Sequence, residues 1–134
     1  AFGSGTDVTL NSATNPGSVT SVGFRGVPNI AGDKSASYSP AAGTLTDAGA
    51  YIGFSAAAPY TIPTHANNAY PIGTTITIES LNGGGTVTIH PDTGVTLRRG
   101  DGTAGTGDRS VAANSAVTIR KRGTNEWYIY GPFT

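Results

Sequence analysis

Alternation of apolar and polar residues with a period of two is the clearest pattern in the second half of the chain. In residues 74–80, Ile76 and Ile78 alternate with threonine and glutamate. Successive side chains of a β-strand point to opposite faces, so this pattern predicts a strand with one buried and one exposed face. The same reading predicts further strands at residues 50–54, 59–62, 86–90, about 95–97, 115–121 and 126–130.

Glycine and proline separate these predicted strands. Three successive glycines, 83–85, supply positions that tolerate positive φ and predict a hairpin from strand 74–80 into strand 86–90. Residues 91–94, Pro-Asp-Thr-Gly, have the composition of a tight turn. The glycine-rich residues 100–108 predict an exposed loop.

The first 50 residues carry a weaker pattern. Candidate strands lie at residues 7–10, 18–24 and 35–39, but their apolar positions alternate poorly. We therefore expect residues 1–20 to form a flexible or extended arm and residues 21–134 to form the folded domain. The chain begins with Ala1 rather than Met, which fits a processed product or a piece of a longer protein.

Composition excludes a helical bundle and favours a β fold. Gly, Thr, Ala and Ser fill 68 of the 134 positions, whereas Leu numbers four, Glu two and Lys two, with no Met or Gln. With the short strands this predicts an all-β antiparallel β-sandwich or jelly-roll-like domain. The scarcity of large apolar residues suggests that the chain relies on partner chains.

The last predicted strand is the richest in aromatic residues. Trp127 and Ile129 share one face, so Tyr128 and Tyr130 share the other. Aromatic rings stack on sugar rings, which makes the two tyrosines the best candidates for ligand contact. They are equally suited to packing against a neighbouring subunit, because aromatic residues are enriched at interfaces.

Basic residues cluster late in a chain of zero net charge. Arginine binds carboxylates and phosphates with a two-pronged fork, so the cluster suits acidic polysaccharide or lipopolysaccharide, and Arg98 and Arg120 complete the predicted ligand site. The alternative is that these charges protect exposed strand edges from aggregation. The cluster comprises Arg98, Arg99, Arg109, Arg120, Lys121 and Arg122.

Other chemistry has little support in the sequence. His65 and His90 are the only histidines and lack a metal-ligand spacing, although a threefold axis between copies of the chain would bring three copies of either together. Residues 101–108 lack the ligand pattern of a calcium loop. We predict no metal site, no cofactor and no catalytic residue. The carboxylate pair of a glycosidase could in principle come from four acids, but their scattered positions show no such pairing: Asp92, Asp101, Asp108 and Glu126.

The net charge and the hydropathy of the chain argue against two classes of partner, nucleic acid and membrane. A neutral chain offers no generic basic surface for nucleic acid, so no nucleic-acid partner is expected. No run of apolar residues approaches the length of a membrane span, so membrane insertion is not expected either.

An ordered set of motifs spans residues 20–134. Pro71-Ile72-Gly73-Thr74 opens a strand, a Gly-Gly-Thr-Val-Thr hairpin follows at 84–88, Gly94-Val95-Thr96-Leu97 comes next, and Trp127 with Gly131 closes the series. In this order the motifs resemble a domain found near the ends of tail-fibre and other virion structural proteins of tailed bacteriophages.

The resemblance implies a trimeric all-β virion component without catalytic residues. The expected function is therefore a tail-fibre or tail-spike receptor-binding domain that recognises host-surface glycan and contacts other virion proteins. Its expected location is the virion, on the tail or the capsid surface. The alternative is capsid decoration, or a head or tail structural role that stabilises the particle.

Overall fold

Nine β-strands and no helix make up the described part of the chain. The computed structural model describes residues 29–81, 83–100, 103, 105 and 107–134. Within them no helix is long and apolar enough to cross a membrane. The strands are β1 (Asn29–Lys34), β2 (Ala50–Phe54), β3 (Pro59–Ile62), β4 (Thr75–Ser80), β5 (Val87–Pro91), β6 (Thr96–Arg99), β7 (Arg109–Val111), β8 (Ser115–Gly123) and β9 (Glu126–Tyr130).

The strands form two sheets. The larger sheet has six strands in the order β1-β2-β4-β8-β9-β6, and the smaller has three in the order β3-β5-β7. The strand-rich class expected from the sequence is confirmed. The alternation is confirmed as well, since Ile76 and Ile78 are buried in β4 while Thr75 is exposed and Thr77 half-buried.

The expectation of an antiparallel fold is wrong, because both sheets are mixed. β1 with β2, β2 with β4, β3 with β5, and β6 with β9 are parallel pairs. β4 with β8, β5 with β7, and β8 with β9 are antiparallel. Alternation specifies which face of a strand is buried but carries no information on strand direction, so the sequence pattern could not distinguish the two arrangements.

The hairpin predicted at glycines 83–85 is also wrong. β4 pairs with β2 on one edge and β8 on the other, so neither edge is open to β5, which lies in the smaller sheet. Gly83 and Gly85 do have positive φ, 81° and 80°. A Cβ on Gly84 would lie 2.5 Å from the carbonyl oxygen of Phe54. The glycines therefore allow the chain to pass closely over β2 as it changes sheet.

The amino-terminal half departs most from the sequence pattern. Residues 35–39, predicted as a strand, contain only an isolated bridge between Tyr38 and Tyr60. β1 and β7 were not predicted. The predicted strands at 7–10 and 18–24 and the predicted arm at 1–20 lie outside the described residues.

A single apolar cluster is shared by the two sheets. It contains residues of every strand from β2 to β9, with Trp127 its largest fully buried side chain. Tyr70 adds an aromatic edge from the connection before β4, with its ring centroid 5.9 Å from that of Trp127 at 81°. The chain therefore buries a continuous core within itself despite its small-residue composition.

Candidate binding face

The four predicted ligand residues lie together on the exposed face of the larger sheet. Tyr128 in β9 is the register partner of Arg120 in β8 and of Arg98 in β6. Tyr130 lies two residues further along β9 and is 38% exposed. Because Trp127 and Ile129 are buried on the opposite face, the alternation along β9 directs both tyrosines outward.

The two tyrosine rings are nearly parallel. Their centroids are 6.4 Å apart and their planes differ by 23°. The guanidinium carbon of Arg122 lies 5.7 Å from the Tyr128 ring, and that of Arg120 lies at the same distance from the Tyr130 ring. Arg122 was not among the four predicted ligand residues. These spacings are within the range of cation–π contact. We call Arg98, Arg120, Arg122, Tyr128 and Tyr130 the arginine–tyrosine face.

A row of hydroxyl groups extends this face across the sheet. Tyr51 pairs in register with Thr77, Thr77 with Thr118, and Thr118 with Tyr130. The Thr77 and Thr118 hydroxyl oxygens are 3.0 Å apart. Burial and a hydrogen bond with Glu79 raise the pKa of Tyr51. Tyr51 was missed because its place beside Thr77 depends on a parallel pairing that the sequence pattern does not specify.

A shallow cleft adjoins the face at the end of β9. It encloses about 200 Å³, with Tyr130 and Phe133 among its lining residues. Arg99, which was predicted with the basic cluster, lies over the Phe133 ring at 5.2 Å. A Cβ on Gly100 would lie 2.9 Å from Cδ1 of Tyr130, so the absence of a side chain there allows the backbone to pack against that ring.

The structure divides the predicted basic cluster. Arg109 is turned toward backbone oxygens, donating to the carbonyls of Gly107 at 2.8 Å and Asp108 at 2.9 Å. Lys121 was expected on an exposed edge but is 1% exposed, because it lies on the same face of β8 as the buried Val117 and Ile119. Strand alternation, applied strictly, would have separated it from Arg120 and Arg122.

Buried Lys121 has an unusual partner. Its Nζ donates to Nδ1 of His65 at 2.7 Å and lies 5.8 Å from the Trp127 ring. Burial lowers the pKa of Lys121. The backbone N–H of His65 donates to the side-chain oxygen of Asn125 at 2.7 Å. Through these two hydrogen bonds, His65 links the connection before β4 to β8 and to the β8–β9 turn.

A second buried polar group lies away from the face. Asp47, 1% exposed, accepts hydrogen bonds from the hydroxyls of Tyr38 at 2.9 Å and Tyr60 at 3.2 Å. Burial, reinforced by Asp47, raises the pKa of Tyr38 to about 12 and that of Tyr60 well above its ordinary value. No spacing in the sequence brings these residues together, so this cluster was not predicted.

The remaining candidates are dispersed. His90 Nδ1 lies 2.6 Å from Asp108, and Glu126 is paired with Arg98. Asp92 accepts from the backbone N–H of the residue that follows it. Among the described residues no group of three or more His, Asp or Glu side chains is placed to hold a metal ion. Asp101 lies outside the described residues.

Comparison of the chain with protein-family models, with curated proteins and with solved structures found no match in any of the three.

Proposed function

We propose that this chain is a non-enzymatic attachment domain of a tailed-bacteriophage virion, which binds host-surface glycan through the arginine–tyrosine face. The observation that carries the proposal is the presence of two nearly parallel tyrosine rings on an open sheet face, flanked by guanidinium and hydroxyl donors. The ordered motifs shared with virion proteins support the placement in a virion.

The chemistry of the face suits carbohydrate. A sugar ring has an apolar C–H face that stacks on aromatic side chains, and hydroxyls at its rim that pair with polar groups. Tyr128 and Tyr130 supply the flat surfaces, while Thr77 and Thr118 supply hydroxyls in the next two strands. These groups extend along one sheet face across β4, β8 and β9, which suits a polymer segment better than a small enclosed ligand.

Binding of purified chain to host polysaccharide and lipopolysaccharide tests the proposal. We expect Tyr128→Ala and Tyr130→Ala each to weaken binding, because each removes a ring. Tyr128→Phe is the matched control, because it keeps the ring and removes only the hydroxyl. Saturable glycan binding with this pattern supports the proposal, whereas binding that survives both alanine substitutions overturns the assignment of the face.

Two further assays separate the role in the particle. Soluble domain that blocks phage adsorption to cells supports attachment, whereas particles that lose heat resistance without the domain indicate capsid decoration. Release of new reducing ends from the glycan would contradict the non-enzymatic part of the proposal.

A homotrimer belongs to the same proposal. The resemblance to trimeric virion domains is the reason for this expectation, and Ile72 (71% exposed) and Leu45 (45% exposed) are large apolar side chains available for contact with a partner chain. Light scattering at micromolar concentration tests this point. A mass of three chains is expected, and a monomer would contradict it.

A further inference from the structure

The three arginines of the face differ in how their charge is satisfied. Arg98 is paired, with its Nε 3.2 Å from Oε2 of Glu126. Neither Arg120 nor Arg122 has a carboxylate within ion-pair distance among the described residues. Glu79 and Asp33 also lie on this side of the larger sheet, but Glu79 is beside Ala116 in register and bonds Tyr51, and the Asp33 carboxylate lies against Gly53 of β2. Within the part of the chain that the structure describes, no carboxylate therefore compensates the charges of Arg120 and Arg122.

Arg120 also has an unused donor. Its Nε is buried and has no hydrogen-bond partner among the described residues. A buried N–H that has lost water without gaining an acceptor is destabilising, and such groups are rare in native structures. The adjacent tyrosine ring holds the guanidinium by cation–π contact, which satisfies none of its N–H groups.

We infer that the arginine–tyrosine face selects an anionic glycan, whose carboxylate or phosphate binds Arg120 and Arg122 while Arg98 remains paired with Glu126. This inference rests on the proposed function and names the class of ligand. A planar guanidinium donates two parallel N–H bonds to a carboxylate or phosphate, and a neutral hydroxyl provides weaker acceptors.

The position of Glu126 determines where the anion lies. Its carboxylate is on the β6 side of β9, where it neutralises Arg98 and repels a second negative charge. Arg120 and Arg122 lie on the β8 side of the tyrosines. An acidic chain therefore stacks its rings on Tyr128 and Tyr130 with its charged groups directed toward β8.

Matched substitutions test the inference. Arg120→Gln and Arg122→Gln each remove an arginine charge that no carboxylate pairs among the described residues. Lys34→Gln is the control, because it removes one positive charge from β1, at the opposite edge of the same sheet and outside the arginine–tyrosine face. We expect the first two to weaken binding of a uronate polysaccharide by roughly tenfold or more. Lys34→Gln should change binding by no more than about threefold.

Three probes identify the ligand chemistry. A uronate polysaccharide supplies carboxylate, lipopolysaccharide oligosaccharide supplies phosphate, and the same uronate polymer with its carboxyls reduced is neutral. The two anionic probes should bind far more tightly than the neutral one, with affinity that falls as salt rises. Whichever anionic probe binds more tightly distinguishes carboxylate from phosphate as the source. Urea unfolding of each variant, followed by Trp127 fluorescence, checks that the fold is retained.

The outcomes separate the two proposals. If the reduced polymer binds as well as the uronate polymer, or if Lys34→Gln weakens binding as much as Arg120→Gln, the inference is wrong while glycan binding stands. If none of the probes binds, the proposed function fails and the inference fails with it.

Discussion

Asp47→Ala should destabilise the fold strongly even though Asp47 lies in no strand. The substitution removes the acceptor for two tyrosine hydroxyls, at 2.9 Å from Tyr38 and 3.2 Å from Tyr60. Tyr60 is fully buried, so its hydroxyl would be left without water or partner, at a cost of about 1–3 kcal/mol. Tyr38 is half-buried and can recover water, so its share is about 1 kcal/mol or less. The expected loss is about 1–4 kcal/mol.

A double-mutant cycle isolates the buried hydrogen bond. Tyr60→Phe alone should cost about 1–2 kcal/mol, because it leaves one carboxylate oxygen unsatisfied. In the Asp47→Ala background the same substitution should be neutral or stabilising, since it removes a hydroxyl that has lost its acceptor. Tyr38→Phe serves as the more exposed comparison and should couple less strongly.

Urea unfolding followed by tryptophan fluorescence measures these values, because Trp127 is the only tryptophan and is buried. The free energy of unfolding comes from the midpoint and slope of the transition. Two results would refute the reasoning: an Asp47→Ala variant within about 0.5 kcal/mol of the parent, or Asp47 and Tyr60 substitutions whose costs simply add.

Three further substitutions or conditions give measurable outcomes. Lys121→Met should stabilise the chain at neutral pH by about 1–2 kcal/mol in urea unfolding, because a buried cation is replaced by an apolar side chain of similar length. A loss of stability above about 1 kcal/mol would mean that the hydrogen bond to His65 outweighs the desolvation cost of the cation. Since burial lowers the pKa of Lys121, the unfolded chain binds more protons there and the parent regains part of this stability as pH rises toward 10.5. Tyr38 acts in the opposite direction, because its pKa is near 10 in the unfolded chain and about 12 in the folded one. Stability should therefore fall as pH rises from 10 to 12. Urea midpoints that stay level over this range would contradict the raised pKa of Tyr38. Gly100→Ala should displace the Tyr130 ring and weaken glycan binding while changing unfolding by less than about 1 kcal/mol, and unchanged binding would show that this ring is not in contact with ligand.

Strand identity was predictable where side chains alternate strictly. β2, β3 and β9 begin and end where the sequence pattern indicates, because each places apolar or aromatic residues at alternate positions that the structure buries. β1 has no such pattern, with glycine, aspartate and lysine in its second half. β7 has only three residues, too few to show a period.

Strand pairing was beyond the sequence pattern. Parallel neighbours such as β6 and β9 are joined by intervening chain that also contains β7 and β8, and no local signal records which distant strand is chosen. The arginine–tyrosine face illustrates the consequence. Tyr128 and Tyr130 were predictable from one strand, whereas the pairing of Arg98 with Glu126 and the addition of Arg122 required the sheet.

The order of strands in the larger sheet has a consequence for how the chain folds. β8 and β9 are joined by a short turn and pair locally. β4 and β6 come earlier in the chain, so the β4–β8 and β6–β9 pairs form only when the distant β8 and β9 are present. Pairs so distant in sequence carry a large loop-closure cost and slow folding. We expect the β8–β9 hairpin to nucleate the sheet, so substitutions at Ile119 and Ile129 should slow refolding while those at Ile52 mainly speed unfolding. During synthesis, β1, β2 and β4 can pair with one another early, but β6 has no partner strand and β4 has one open edge until the carboxyl-terminal hairpin is made. Completion of the larger sheet therefore depends on that hairpin.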